Sequence, residues 1–140
     1  MKFVVDSNIF VSALDPKDIF HVECYLVFKH ILDYEIEVIS PNLVLVETVC
    51  VLRRRSGNEQ FAHQLYEYLA FLKSINWLDI TFDVAQQACI MGITTGLKAV
   101  DATILQVSEE FGIPLLTKDK EIKEKAPKSI LIFEPSELPL

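Results

Sequence analysis

Several residue types and patterns that mark large classes of protein are scarce or missing in this 140-residue chain. Four glycines and six prolines are too few for a collagen-like or low-complexity chain. No apolar run approaches the ~18–20 residues that a membrane span needs, and the N-terminus lacks the apolar region of a signal peptide. We therefore expect a cytoplasmic protein that has no membrane partner.

Cysteine is also scarce, and its three copies lie far apart without a CxxC pair. This spacing predicts neither a zinc site nor a disulfide framework. Cys24, Cys50 and Cys89 each lie in apolar sequence, so we expect them to be buried as small hydrophobic residues.

Positive charge is in the minority, since 13 basic residues stand against 20 acidic ones and the net charge is −7. Such a balance argues against a protein that binds nucleic acid through bulk positive charge. It does not exclude a protein whose acids are concentrated around a metal ion, because a bound cation reverses the local sign of the charge.

Apolar residues are abundant at 51%, which is enough for one domain with a substantial core over residues 1–140. Short β-branched or aromatic runs alternate with helical patterns from end to end of the chain. This alternation predicts right-handed βαβ crossovers and a three-layer α/β/α fold around a mostly parallel five-stranded sheet. The predicted strands are residues 3–5, 35–39, 77–80, 114–117 and 130–133, and the predicted helices are residues 7–14, 18–33, 41–54, 59–76, 83–95, 99–111 and 119–125.

Four acidic residues lie in apolar surroundings or directly after an apolar strand. Asp6 ends the first predicted strand, and Asp119 lies just beyond the fourth. Glu47 and Asp101 lie within apolar helical segments, where burial of an unpaired carboxylate is strongly unfavourable. The carboxyl ends of parallel strands and the N-termini of the helices that follow share one edge, so we expect all four side chains there.

Carboxylates held close together need a counter-charge, which basic side chains or a metal ion can supply. The arginines at 53–55 lie at the far end of their predicted helix and face the opposite edge of the sheet. An all-oxygen site without His or Cys suits Mg²⁺ or Mn²⁺, which activates water and clamps a phosphate. In this hypothesis Asp6, Asp101 and Asp119 hold the metal, while Glu47 binds a second ion or accepts a proton from the attacking water.

The motifs around these acids are VVDSN at Asp6, PNLVLVET at Glu47, GLKAVDA at Asp101 and PLLTKD at Asp119. Together, from residue 3 to about residue 134, they resemble the PIN-domain family, and most of all its compact VapC-type toxins and archaeal relatives. The resemblance implies a 3-2-1-4-5 sheet and a Mg²⁺- or Mn²⁺-dependent ribonuclease, with these four acids as its catalytic quartet. Ser7 stands where the family usually has Thr and keeps the hydroxyl group.

Neighbouring polar residues are candidates for supporting roles. Asn8 either orients a site carboxylate or caps the helix after it. Thr117 either contacts the substrate or the neighbouring acid, or simply ends its strand. Lys98, Lys118 and Lys120 flank the predicted acids and are candidates for steering a phosphate.

The helical segment at residues 18–33 has a wider apolar stripe than one core-facing side needs. We expect this stripe to contact a second copy of the chain or an antitoxin protein. The alternative is a helix that is buried between two layers of the fold.

Two other functions of α/β folds are disfavoured by single residues, and two alternatives remain open. A haloacid-dehalogenase-type phosphatase needs a second Asp where Asn8 stands, and a response-regulator receiver needs a phosphorylated Asp where Ile80 and Thr81 stand. An RNA-processing nuclease without a toxin role, or a catalytically silent module that binds RNA or protein, would share the same fold.

Overall fold

All residues from 1 to 140 are described in the structure, a computed structural model, and five parallel strands form its central sheet. The sheet order is β3-β2-β1-β4-β5, which confirms the predicted topology. The innermost strand β1 pairs with β2 on one side and with β4 on the other. The strands are β1 (Lys2–Val5), β2 (Glu37–Pro41), β3 (Ile75–Leu78), β4 (Leu115–Leu116) and β5 (Ile132–Phe133).

Seven α-helices connect and cover the strands, in the order that the sequence pattern predicts. Gly96 and Gly112 end two of them in the left-handed conformation, with φ of 72° and 63°, which glycine adopts without steric cost. The helices are α1 (Ser7–Leu14), α2 (His21–Leu32), α3 (Asn42–Ser56), α4 (Glu59–Ala70), α5 (Phe82–Thr95), α6 (Ala99–Phe111) and α7 (Lys120–Lys125).

The second strand begins two residues later than predicted because the turn before it is closed by backbone hydrogen bonds. Tyr34 has a positive φ of 61°, and the N–H groups of Glu35 and Ile36 both donate to the carbonyl oxygen of His30. Glu35 therefore belongs to the turn that follows α2 and not to the strand.

Two predicted helix boundaries also move. Asp18 does not begin α2, because its carboxylate accepts from the N–H of Phe20 and its carbonyl from the N–H of His21, which closes a separate turn. The helix predicted at 59–76 ends at Ala70, since the chain enters β3 at Ile75.

The core forms where α1 and α2 pack on the sheet. Phe10 of α1 is fully buried and contacts the ring of Phe28 edge-on at a centroid distance of 6.4 Å. Its other ring neighbour is Trp77 on β3, at 5.8 Å. These contacts fix α1 against the sheet. They therefore also fix the position of Asp6, which directly precedes this helix.

The predicted burial of the cysteines is wrong for two of the three. Cys24 is buried, but Cys50 on α3 and Cys89 on α5 are exposed, because the apolar sequence around them continues onto the outer sides of these helices. Ile19, just before α2, and Val22, in its first turn, are 89% and 83% exposed. This part of the predicted apolar stripe is therefore exposed and not buried between two layers of the fold.

No single helix is long and apolar enough to cross a bilayer. Only α5 and α6 taken together have the length and the apolar composition of a membrane span, and their axes are bent by 109° at the junction. Much of α6 is buried in the core of this fold.

A serine hydroxyl completes the pairing of β1 with β2 at the end that leads into Asp6. Ser40 is fully buried, and its Oγ accepts from the N–H of Val5 at 2.9 Å and donates to the carbonyl of Val5 at 3.0 Å. Pro41 comes next on β2 and has no N–H to offer the neighbouring strand. The Ser40 side chain therefore satisfies both backbone groups of the residue before Asp6.

We predict that Ser40→Ala lowers the free energy of unfolding by about 2–4 kcal/mol, because two buried backbone groups lose their hydrogen-bond partner. Urea denaturation measures the change, with the exposed Ser129→Ala as control. An effect of Ser40→Ala no larger than that of the control would contradict this account.

Candidate active site at the carboxyl edge of the sheet

The structure brings the four predicted acids toward one edge of the sheet. Asp6 directly follows β1, and Asp119 follows the neighbouring strand β4. Asp101 lies in the first turn of α6, and Glu47 lies in the second turn of α3. Asp101 and Glu47 both act electrostatically on Asp6, so the acids are within range of one another.

Asp6 is the most deeply buried of the four, with 4% of its surface exposed. It occupies the N-cap position of α1, but its side chain makes no capping hydrogen bond. Oδ2 instead accepts from Thr117 Oγ1 at 2.7 Å and from Asn8 Nδ2 at 3.2 Å. The carboxylate is thus turned from the helix end toward β4.

Burial raises the pKa of Asp6 from 3.8 to about 6, because the charged form loses solvation. This value already includes the charges of Asp101 and Glu47, which also raise the pKa, and the hydrogen bonds from Thr117 and the backbone N–H of Ser7, which lower it. The charged form of Asp6 is therefore disfavoured by both its surroundings and its acidic neighbours.

Asp101 is half-buried, and its pKa is also raised to about 6. Burial is the largest cause, followed by the charges of Asp119 and Glu47, while Lys98 acts in the opposite direction. Glu121 adds a smaller repulsion. Glu121 is not among the four acids predicted for the site, although its place two residues after Asp119 was the signal available.

Glu47 is held by a neutral donor on another element. Ser7 Oγ donates a short hydrogen bond to Glu47 Oε1, and its second, weaker contact is to Asp6 Oδ1 at 3.4 Å. The hydroxyl group that Ser7 keeps in place of Thr therefore orients Glu47. Glu47 is half-buried rather than deeply buried, because Val46 and Cys50 beside it face outward.

Thr117 is the centre of a hydrogen-bond network that joins the residues following β1 to those following β4. It is 1% exposed, and its hydroxyl donates to Asp6 while accepting from Asn8 Nδ2 at 3.2 Å and from the N–H of Asp119 at 3.0 Å. Asn8 Oδ1 also accepts from the N–H of Lys118, at 3.4 Å. The contacts of Asn8 and Thr117 therefore fix Asp6 relative to β4.

Only one of the two carboxylate oxygens of Asp119 makes the hydrogen bonds that cap α7. Oδ1 caps α7 by accepting from the N–H groups of Glu121 and Ile122, at 2.8 and 3.1 Å. Oδ2 takes no part in this cap, so one oxygen remains to face the other acids.

None of the four acids takes part in a salt bridge, and Lys98 offsets the repulsion only in part, since the pKa of Asp101 remains raised. Lys118, expected to steer a phosphate, instead donates to Ser12 Oγ at 2.5 Å and lies 4.2 Å from the ring centroid of Phe20. As the side chains stand, no three His, Cys, Asp or Glu residues are arranged to hold a metal ion.

The raised pKa of Asp6 predicts that the chain without metal loses stability as the pH rises. Between about pH 4 and pH 6 the folded state binds more protons than the unfolded state, so the free energy of unfolding falls through this window. We expect Asp6→Asn to remove on the order of 2 kcal/mol of this fall. Urea denaturation in EDTA at about pH 4 and pH 7 gives the difference.

Asp33→Asn is the matched control for this measurement, because Asp33 is an exposed aspartate at the end of α2. Its pH dependence should follow that of the unmodified chain. Equal pH dependence for Asp6→Asn and the unmodified chain would show that Asp6 titrates normally.

Comparisons with known proteins bear on the family and the fold of the chain. Residues 3–128 match the family model described as the PIN domain. No curated protein sequence matches the chain significantly.

Solved structures with the same fold include VapC20 of Mycobacterium tuberculosis, a toxin that cleaves the sarcin-ricin loop. The two are 20% identical, with a TM-score of 0.76 over 94% of this chain and 99% of that one. A toxin–antitoxin complex from Klebsiella pneumoniae gives 17% identity and a TM-score of 0.67, over 97% and 99%.

VapBC2 of Rickettsia felis, solved with a DNA fragment from its promoter, gives 16% identity and a TM-score of 0.65, over 96% and 98% of the two chains. At these identities the likeness establishes the fold. The family model, which spans most of the sequence, establishes more: the chain belongs to the PIN domain family.

Proposed function

We propose that the chain is a metal-dependent endoribonuclease that hydrolyses RNA phosphodiester bonds and acts as the toxin of a toxin–antitoxin pair. The observation that carries the proposal is the group of acids without a cationic partner at the carboxyl edge of the sheet, where burial and mutual repulsion raise the pKa of Asp6 and Asp101. Such a group gains stability from a bound divalent cation.

The donor set fits Mg²⁺ or Mn²⁺. Every candidate ligand atom is a carboxylate oxygen, and neither His nor Cys is among them. We assign the metal to Asp6, Asp101 and the uncapped oxygen of Asp119.

The bound ion supplies an activated water and neutralises charge on the phosphate. In this proposal the side chains accept the proton and position the reacting groups. Glu47, oriented by Ser7, accepts the proton of the attacking water or helps to hold a second ion. Asn8 and Thr117 keep Asp6 at its place beside β4 and lie near enough to the site to position the substrate.

The toxin role is supported by the structural neighbours, among which are toxins and toxin–antitoxin complexes. The partner in this proposal is an antitoxin protein, and the chain itself forms a homodimer. The apolar residues exposed on and before α2, including Ile19 and Val22, are available for these contacts.

We expect the purified chain to cleave RNA with Mn²⁺ or Mg²⁺ and to lose this activity in EDTA. Asp6→Asn and Asp101→Asn should each lower kcat/KM on the order of 100-fold or more, since even residues that only orient metal ligands cost 10–100-fold. Cleavage of labelled RNA measures this effect, with Asp33→Asn as the control.

The same assay separates the alternatives. RNA binding without cleavage, unchanged by Asp6→Asn, would identify a catalytically silent module. Metal-dependent cleavage by a chain whose expression leaves cell growth unchanged would identify an RNA-processing nuclease without a toxin role.

Thr117→Val tests whether the neutral network prepares the metal site. We expect a 10–100-fold loss of Mn²⁺ affinity, because Asp6 and the N–H of Asp119 both lose the hydroxyl. Calorimetric titration measures the affinity, with Thr103→Val as control, since Thr103 donates only to the carbonyl of Ala99. Unchanged affinity in Thr117→Val would refute this role.

A further inference from the structure

We propose that the groove between α3 and α4 binds the substrate RNA strand a short distance from the cleaved bond. Arg53 and Arg54 bind its phosphates, and Tyr66 stacks on a base. This inference rests on the proposed ribonuclease function. It assigns a second RNA-binding surface to the chain, in addition to the acidic site.

The groove has a cavity volume of about 1100 Å³ and lies outside the acidic site. Its floor is largely apolar and its rim carries the two arginines. The residues that matter for binding are Val49, Cys50, Arg53, Arg54, Glu59 and Tyr66. Glu59 is the one carboxylate in the lining, and it is outnumbered by the arginines.

All three arginines of the chain stand together at the end of α3. Arg55 forms salt bridges with Asp15 and Asp18 at 3.0 and 2.9 Å, so its charge is already paired within the protein. Arg53 and Arg54 are exposed and form no salt bridge. In a chain with a net charge of −7, these two guanidinium groups are an unused pair of phosphate ligands.

Although Arg53 and Arg54 lie at the far end of α3 from the acidic site, the groove continues along the side of this helix that carries Glu47. Cys50 and Arg54 follow Glu47 by three and seven residues, so these side chains project from nearly the same side of the helix. Seven residues of α-helix span roughly 10 Å. A single strand whose phosphate reacts beside Glu47 therefore reaches Arg54 within a few nucleotides.

An apolar floor alone would also suit an amphipathic helix from a protein partner. The unpaired arginines and the continuity with the acidic site favour RNA. Tyr66 is 43% exposed, which leaves a ring face available to a base. Cationic side chains combined with an exposed aromatic ring are the usual means of holding a single strand.

RNA binding can be measured without cleavage, by fluorescence anisotropy of a labelled 12-nucleotide RNA in EDTA over a salt series. We expect Arg53→Ala and Arg54→Ala each to weaken binding about 3–10-fold and to reduce the slope of log affinity against log salt by about 0.7. Lys29→Ala is the control, because Lys29 is an exposed cation on α2 that forms no salt bridge. Its effect should be smaller.

Cleavage then distinguishes a substrate contact from damage to the fold. With Mn²⁺, Arg54→Ala should raise KM for the 12-nucleotide RNA several-fold while leaving kcat, and cleavage of a dinucleotide, unchanged. Tyr66→Ala should behave in the same way, and Tyr66→Phe should restore the original KM, since phenylalanine keeps the stacking face.

Unchanged affinity and salt slope in both arginine variants would overturn the inference and leave the groove to a protein partner. Equal loss on the dinucleotide and the longer RNA would overturn it as well, because the substitution would then act through the acidic site. If the chain cleaves no RNA but the arginine variants still weaken RNA binding, the ribonuclease proposal fails while the groove assignment stands.

Discussion

Repulsion among carboxylates that form no salt bridge is the constraint on which the site depends. The fold places Asp6 at the end of its innermost strand and surrounds it with Asp101 and Glu47, whose charges raise its pKa in addition to burial. The salt bridges of the chain lie elsewhere, such as Arg55 with Asp15. The fold thus tolerates electrostatic strain at one edge of the sheet and places its compensating ion pairs away from it.

The groups that hold the acids in place are neutral. Ser40 completes the pairing of the strand that leads to Asp6, Thr117 binds Asp6 from β4, and Ser7 holds Glu47 from α1. Hydroxyl groups can fix a carboxylate without cancelling its charge, which a lysine or arginine would do. The arrangement preserves the negative potential at this edge of the sheet while limiting the motion of the carboxylates.

The sequence was sufficient to predict the βα alternation, the sheet order through its family resemblance, and the arrival of Asp6 and Asp101 at one edge, because strand polarity decides that edge. Details that depend on side-chain contacts could not be predicted. Tyr34 closes a turn that delays β2, and Asp119 commits one oxygen to capping α7. The apolar surroundings of Glu47 suggested deep burial, yet its neighbours on the outer side of α3 face solvent. Periodicity does not reveal which apolar side of a helix remains uncovered.

The strained acidic edge has an evolutionary consequence. Any substitution that removes one of these negative charges relieves repulsion in the folded chain, so loss of the reactive centre need not weaken the fold. Descendants that have lost it would persist as well-folded proteins, free to acquire roles that need only the shape. The demands of folding alone therefore do not account for the four carboxylates at this edge.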